Sequence, residues 1–349
     1  MPSVWRRRSP ARRRCGGART ARGGARPRAG RGPAHPHDPV SEGVEHGAAA
    51  VAARRTVGII ALDKPAGITS FDAVREVRRI FGERRVGHAG TLDPTASGLL
   101  PICVGRATRL VDYFHAQPKT YHCIVRLGER SDTFDTEGAV VAGGDASELG
   151  ADAVRTALRG FVGEIVQTPP MHSAVRHSGR HLYELAREGV EVERAPRPAV
   201  IHSAELVGFR AGRVAEAELV VVSGKGAYMR VLAAELGDAL GTGGLLGWLS
   251  RTRYGSLRLE DALTPVALAA LDDPATALLP LDVAVSHLPR IDVGPQHAAL
   301  IRRGQGIWLP RTVQPDAAGE CRVMDPAGDL VAIAEIQSGL LRPSKVLAG

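Results

Sequence analysis

The chain has 349 residues, 44 % of them hydrophobic and 23 % charged, with a formal net charge of +8; that length allows two domains with a sizeable core. No run of about eighteen apolar residues occurs, which argues against a membrane-spanning helix. The four cysteines (Cys15, Cys103, Cys123 and Cys321) form no C-x-x-C pair, which argues against a structural zinc or a disulfide framework and suits a reducing cytoplasm. The positive charge is local: residues 1–55 carry thirteen Arg against three acids, a net of +10, and the remaining 294 residues carry −2. A nucleic-acid site on the body must therefore be a local patch.

In chain order, residues 1–55 are rich in Arg, Ala, Gly and Pro with almost no large apolar side chains. Such a segment cannot bury enough surface to offset its ordering entropy, so disorder is expected. Without a continuous apolar stretch it is not a secretory signal; it is either a basic tail or translated sequence upstream of a true start near Val51 or Val57. VGIIAL then reads as a buried strand and DKPAGITS as a loop closing on a helix cap, with Thr69 and Asp72 spaced as a capping box. Phe71, Val74, Val77 and Ile80 or Phe81 supply an apolar stripe at helical spacing.

The stretch GHAGTLDPTASGLLPICVG, residues 87–105, sets one acid, Asp93, among small residues. Asp before Pro favours a helix start, with Asp93 as N-cap and Pro94 at the first helical position; on that reading the acid only caps. Further along, Tyr121 to Leu127 alternates as a strand does, 151–159 and 229–240 are helical, and Ile201–Phe209 pairs with Glu216–Val222. The helix 229–240 is stopped by Gly241. The last sixty residues hold short strand-like runs (GIWLP, ECRVMD, LVAIAEI) split by turn residues, the pattern of a small β domain.

Polar and aromatic residues concentrate in four further segments: KTYHCIVRLG, TPPMHSAVRHSGRHLYELAREG, VVSGKGAYMRVLAAELG and LSRTRYGSLRL. The histidines at 172, 177 and 181 lack a metalloprotease pattern, Gly224–Gly226 is not a P-loop, and no G-x-S-x-G elbow is present. Asp93 has no base, metal or second carboxylate near it in sequence, so as a catalyst it would act alone, as nucleophile or base.

With those segments in place, GHAGTLDPTASGLLPICVGRAT closely resembles the signature of the TruB family of tRNA pseudouridine synthases. The family's K-x-Y, P-P-x-x-S-A, G-x-Y-x-R and R-T-R elements follow in order at Lys119–Tyr121, Pro169–Ala174, Gly226–Arg230 and Arg251–Arg253. The resemblance spans about residues 57–260. It implies an α+β fold: a catalytic domain on a mixed, mainly antiparallel sheet with flanking helices (56–285), plus a small C-terminal β-rich PUA-like RNA-binding domain (286–349). It implies isomerisation of uridine 55 in the T loop of tRNA, with tRNA as partner, no cofactor, no metal and no obligate protein partner.

Asp93 matches the family's essential aspartate, acting on a flipped-out nucleotide. Arg230 matches the arginine paired with it, expected to lower its pKa. Tyr121 matches the tyrosine that stacks on the extruded base, Tyr228 one proposed to help with the C5 proton, and Leu249 an apolar wall of the uracil pocket. RNA contacts are expected from His88, Lys119, Arg176, Arg180, Lys225, Arg251 and Arg253. The small residues around Asp93 are expected to let an RNA backbone approach. The chain departs from the family pattern at His172, Arg176, Ala227 and Ser250. The rival is a non-catalytic tRNA-binding or folding protein on the same scaffold; a relative working inside a guide-RNA complex fits less well.

Overall fold

A computed structural model describes residues 56–173, 175–309 and 319–347; the Arg-rich extension, and with it the expectation of disorder there, lies outside the described residues, as does Ala174. The chain runs β1 (Gly58–Lys64), α1 (Ser70–Phe81), β2 (Val86–His88), β3 (Ser97–Val104), α2 (Val111–His115), β4 (Lys119–Leu127) and the two-residue strands β5 (Glu129–Arg130) and β6 (Val141–Ala142). Then come α3 (Ala151–Arg159), β7 (Gly163–Gln167), the small hairpin β8 (Arg176–His177) and β9 (Arg180–His181), α4 (Leu182–Arg187), β10 (Arg197–Arg210), β11 (Ala215–Ser223), α5 (Met229–Ala239), β12 (Gly244–Tyr254) and β13 (Leu257–Arg258). After α6 (Pro265–Ala269) the C-terminal part adds β14 (Arg290–Asp292), α7 (Pro295–Arg302), β15 (Ile307–Trp308), β16 (Gly319–Met324), β17 (Leu330–Gln337) and β18 (Leu340–Val346).

The main sheet has the order β1-β3-β12-β4-β11-β10-β7, with β2 on β3 and β13 on β12. The β3–β12 contact is parallel and the other pairings are antiparallel, as expected for a mixed, mainly antiparallel sheet. Strand β4 alternates buried and half-buried residues along its whole length, one face in the core and one towards solvent. Helix α1 starts as expected: Thr69 Oγ1 accepts from the Asp72 amide at 3.0 Å and Asp72 accepts from the Thr69 amide at 2.9 Å.

The second sheet, β14-β16-β17-β18-β15, shares a core with the first. Phe114, Tyr254 and Leu257 lie in one apolar cluster with Met324, Leu330, Ile333 and Leu347. Polar ties reinforce that contact: Arg109 Nη1 donates to the Val346 carbonyl at 2.5 Å, and the Tyr113 hydroxyl to Glu320 at 2.8 Å. Cys103, Cys123 and Cys321 are free and buried. Among the described residues no helix is long and apolar enough to cross a membrane.

One local expectation is overturned. Asp93 caps no helix: residues 91–96 remain an irregular loop and β3 follows from Ser97. The apolar run after the loop is taken as a strand because it pairs along its length with β1, Lys64 opposite Gly98 through Gly58 opposite Val104.

Candidate active site

The loop 89–96 is clamped from three elements. From the start of α1, the Ser70 hydroxyl donates to the Leu92 carbonyl and accepts from the Leu92 amide, both at 2.9 Å. From the end of β1, the fully buried Lys64 ammonium donates to the carbonyls of Pro65 (2.9 Å), Ile68 (2.8 Å) and Pro94 (3.4 Å). From β12, Arg251 donates through Nε to the Leu99 carbonyl at 2.7 Å and through Nη2 to the Gly90 carbonyl at 3.0 Å. A carboxylate on a loop held this way loses little entropy on becoming oriented.

Two of the small residues have a different reason from the one the sequence suggested. Gly98, at φ +100°, would place a Cβ 2.5 Å from the Arg251 carbonyl oxygen, and Gly90, at φ +76°, would place one 3.1 Å from the Tyr254 ring. The protein's own parallel β3–β12 approach, and its buried tyrosine beside a left-handed Gly90, account for both.

Asp93 meets Arg230 across the cavity, Oδ2 to Nε at 3.0 Å. Arg230 lies in the first turn of α5, where the helix dipole disfavours a cation, and only 6 % of its side chain is exposed. Three further acceptors hold it: Asp135 Oδ2 at 3.6 Å, the Thr133 carbonyl at 3.3 Å and the His172 carbonyl at 2.6 Å. Asp135 is itself buried and accepts from the Thr133 hydroxyl at 2.5 Å and the Glu137 amide at 3.0 Å. Phe134, just before it, adopts φ +63°, a conformation a bulky residue takes only when its surroundings impose it.

Burial pushes the Asp93 carboxyl above its ordinary pKa; Arg230 pulls it down, and Asp135 pushes it further up. The adjacent guanidinium acts in the direction expected from sequence, but desolvation outweighs it. The side chain keeps 37 % exposure towards the cavity, so water there limits the desolvation until a substrate displaces it.

A cavity of about 380 Å³ opens beside Asp93, within the range of small-ligand sites. Its walls bring together Asp93, Tyr121, Tyr228, Arg230 and Leu249, along with Lys119, Lys225 and Arg251. Tyr228 is the N-cap residue of α5, and Gln167 pins its backbone from both sides, accepting from its amide at 2.9 Å and donating to its carbonyl at 3.3 Å. Burial raises the Tyr228 phenol pKa, with Arg197 opposing, so the hydroxyl keeps its proton at neutral pH. Tyr121 and Leu249 are both under a tenth exposed, and lie on neighbouring strands β4 and β12.

Two cations expected to contact RNA are instead turned into the protein. Arg251 is 1 % exposed and committed to the backbone carbonyls named above. Lys119 donates to the carbonyls of His115 (3.1 Å) and Gln117 (2.9 Å), and burial lowers its pKa to about 8. Both sit on the Tyr254 ring, Lys119 at 4.7 Å and Arg251 at 4.9 Å from its centroid. The remaining expected contacts stand away from the cavity: Arg176 and Arg180 on the β8–β9 hairpin, the latter paired with Glu188 at 2.6 Å, and Arg253 exposed on β12. His88 lies behind the loop, on β2. Asp135, Lys64 and Gln167 were not anticipated from the sequence.

Solved structures share this architecture. An H/ACA ribonucleoprotein bound to a substrate RNA containing 2′-deoxyuridine matches with a TM-score of 0.65 at 23 % identity, over 84 % of this chain and 86 % of that one. A Cbf5-Nop10-Gar1 complex matches with a TM-score of 0.64 at 24 % identity, over 83 % and 85 %. Residues 78–229 match the TruB family pseudouridylate synthase N-terminal domain, and that match, with the curated relatives, defines the class as a pseudouridylate synthase. The tRNA pseudouridine synthase B of Thiobacillus denitrificans is 43 % identical over 85 % of this chain and 98 % of its own length. That of Dehalococcoides mccartyi is 42 % identical over 74 % and 87 %. The chain belongs to the TruB family.

Proposed function

We propose that this protein isomerises uridine 55 in the T loop of tRNA to pseudouridine, in the cytoplasm and without an obligate protein partner. The observation that carries the reading is the Asp93–Arg230 contact at 3.0 Å on the wall of a cavity that Tyr121 and Leu249 also line. The reaction breaks the bond between C1′ and N1 of uridine, turns the uracil, and joins C5 to C1′; the hydrogen leaves C5 and a proton is taken up at N1. Reactant and product are isomers, so no co-reactant enters the balance.

Asp93 acts on the flipped nucleotide, and the proposal covers either attack at C1′ or proton removal from the ribose. Arg230 orients the carboxylate and favours its charged form. Tyr121 offers its ring face to the extruded base, a contact worth about 1–3 kcal/mol in comparable systems. Leu249 excludes water from the uracil, and Tyr228 places a protonated hydroxyl near the carbon that loses hydrogen. The β-rich segment 286–349 serves as a PUA-like RNA-binding domain. The test is incubation with unmodified tRNA followed by carbodiimide-stop primer extension: a stop at position 55 supports the reading, and binding without any stop would favour the non-catalytic alternative.

A further inference from the structure

An open groove of about 550 Å³ lies between α1 and β2. Phe71, Arg78, Arg84, Arg85 and His88 line it. Phe71 is 58 % exposed, an uncommon position for a phenylalanine on a helix whose other apolar residues face the core. The guanidinium carbons of Arg75 and Arg78 stand 5.9 and 5.8 Å from its ring centroid.

The charge of the groove is not neutralised locally. Among the described residues, Arg75 and Arg79 of α1 pair with Asp72 and Glu76, but Arg78, Arg84 and Arg85 form no carboxylate pair. Arg78 donates to the Val86 carbonyl at 3.0 Å, and Arg85 donates through Nε to Thr108 at 2.8 Å. The second bond fixes Arg85 while leaving its terminal nitrogens free to meet a ligand. Residues 56–349 carry −2 overall, so three arginines without carboxylate partners around one exposed aromatic form a local exception.

His88 lines the groove and lies near enough to Arg251 and His115, on the wall of the Asp93 cavity, to feel their charge. Burial lowers its pKa, and Arg251 and His115, both on the cavity wall, lower it further. The ring is therefore neutral at physiological pH, and the positive charge of the groove belongs to the arginines.

We infer that this groove holds the RNA strand adjoining the target nucleotide, with Arg84 and Arg85 on its phosphates and one base stacked on Phe71. The inference rests on the pseudouridine synthase reading and adds a second contact region to it. Cations beside an exposed aromatic ring form the combination that binds single-stranded nucleic acid, phosphates to the charges and a base to the ring. An acidic protein surface would satisfy the arginines but leave the ring without a stacking partner.

The test uses the full-length protein and a tRNA T-arm hairpin, with affinity measured against salt. In Arg84→Gln/Arg85→Gln, the slope of log affinity against log salt should become shallower by about 0.7–0.9 for each phosphate that the variant no longer neutralises. Arg155→Gln, on α3 and paired with Asp152, should keep the wild-type slope. Phe71→Ala should weaken binding roughly 5- to 150-fold, as removal of one base stack would, while Phe71→Tyr should bind as the wild type does. Arg84 and Phe71 are exposed, and thermal melts confirm that each variant is folded. A wild-type slope in the double arginine variant, or wild-type affinity in Phe71→Ala, overturns the inference. Absence of pseudouridine from the wild-type reaction would instead overturn the functional reading, and the two failures are separately visible.

Discussion

Asp93 is placed where its charge is costly: burial raises its pKa, and Arg230 is the largest influence opposing that. Asp93→Asn keeps the shape and loses the charge, so isomerisation should fall by about 10²–10⁴-fold or more while tRNA affinity stays nearly unchanged. Substantial turnover by the Asn variant, in tritium release from [5-³H]uridine-labelled tRNA, would remove Asp93 from the chemistry. The pH dependence follows from the same balance. Activity needs the ionised carboxylate, so the acid limb of kcat/KM should lie above the ordinary aspartate value and move further up in Arg230→Met; Arg230→Lys should shift it less. Single-turnover rates measured across pH decide this, and an unmoved limb in Arg230→Met would show that the guanidinium does not set the carboxyl's protonation. For stability the sign is reversed from that of most carboxylates. The native state keeps the Asp93 proton to higher pH than the unfolded chain does, so this residue's contribution declines as pH rises through that window. Asp93, Tyr228 and Arg230 were singled out by the resemblance to the family's ordered motifs rather than by local pattern, which read Asp93 as a helix cap; what the structure adds is that the three line one cavity. Asp135 and Lys64 were not: SDTFD and DKPAG read as ordinary polar turns, and their partners, Arg230 and Pro94, are distant in the chain.

At the scale of elements, the Asp93 loop is held less by its own residues than by β1, α1 and β12, which clamp it. Strands β1, β4, β10 and β11 and helices α1, α3 and α5 were readable from periodicity and caps. Strand β12 was not, although it carries Leu249, Arg251 and Arg253. Its alternation is broken by register shifts between Leu246 and Trp248 and between Arg251 and Arg253, and each bulge moves the following side chains to the other face. The Asp93–Pro94 helix start failed for the opposite reason: a good local cap was overruled by the demand that Leu99–Val104 pair with β1. Lys64 is the tie whose strength can be measured. Burial lowers its pKa to about 8 from 10.5, so between those values the unfolded chain binds the extra proton and native stability rises with pH. Lys64→Met abolishes that linkage and leaves the Ile68 and Pro94 carbonyls without their donor, at a cost of about 1–3 kcal/mol for each buried acceptor left unsatisfied. In urea titrations at neutral pH the variant should be less stable than the wild type, and the wild-type advantage should widen from pH 8 towards 10.5. A constant difference across that range would mean that Lys64 titrates as it does in the unfolded chain.

For the whole molecule, charge and architecture separate cleanly. The high net charge belongs to residues 1–55, whereas every residue matched to the catalytic pattern lies between Asp93 and Leu249 in a body of net charge −2. That body's order begins before β1: a Cβ on Gly105 would meet the Thr56 carbonyl oxygen at 2.6 Å, so the chain is already seated against the fold at Thr56. A protein beginning at Val51 therefore keeps each strand of both sheets, and it should fold and modify tRNA at the same position as the full chain. The thirteen arginines before Thr56, most of them absent from the shorter protein, add phosphate contacts that carry no sequence information. Each such contact on a single strand should steepen the dependence of log affinity on log salt by about 0.7. Site choice should not change, because recognition of an RNA loop rests on its shape and its unstacked bases. Affinity against salt for both proteins, with tRNA and with an unrelated hairpin, separates the two contributions. The full chain should gain affinity for both RNAs at low salt, and the advantage should fade equally for both as salt rises. A shorter protein that fails to fold, or that modifies a different uridine, would place part of the site within the first fifty residues.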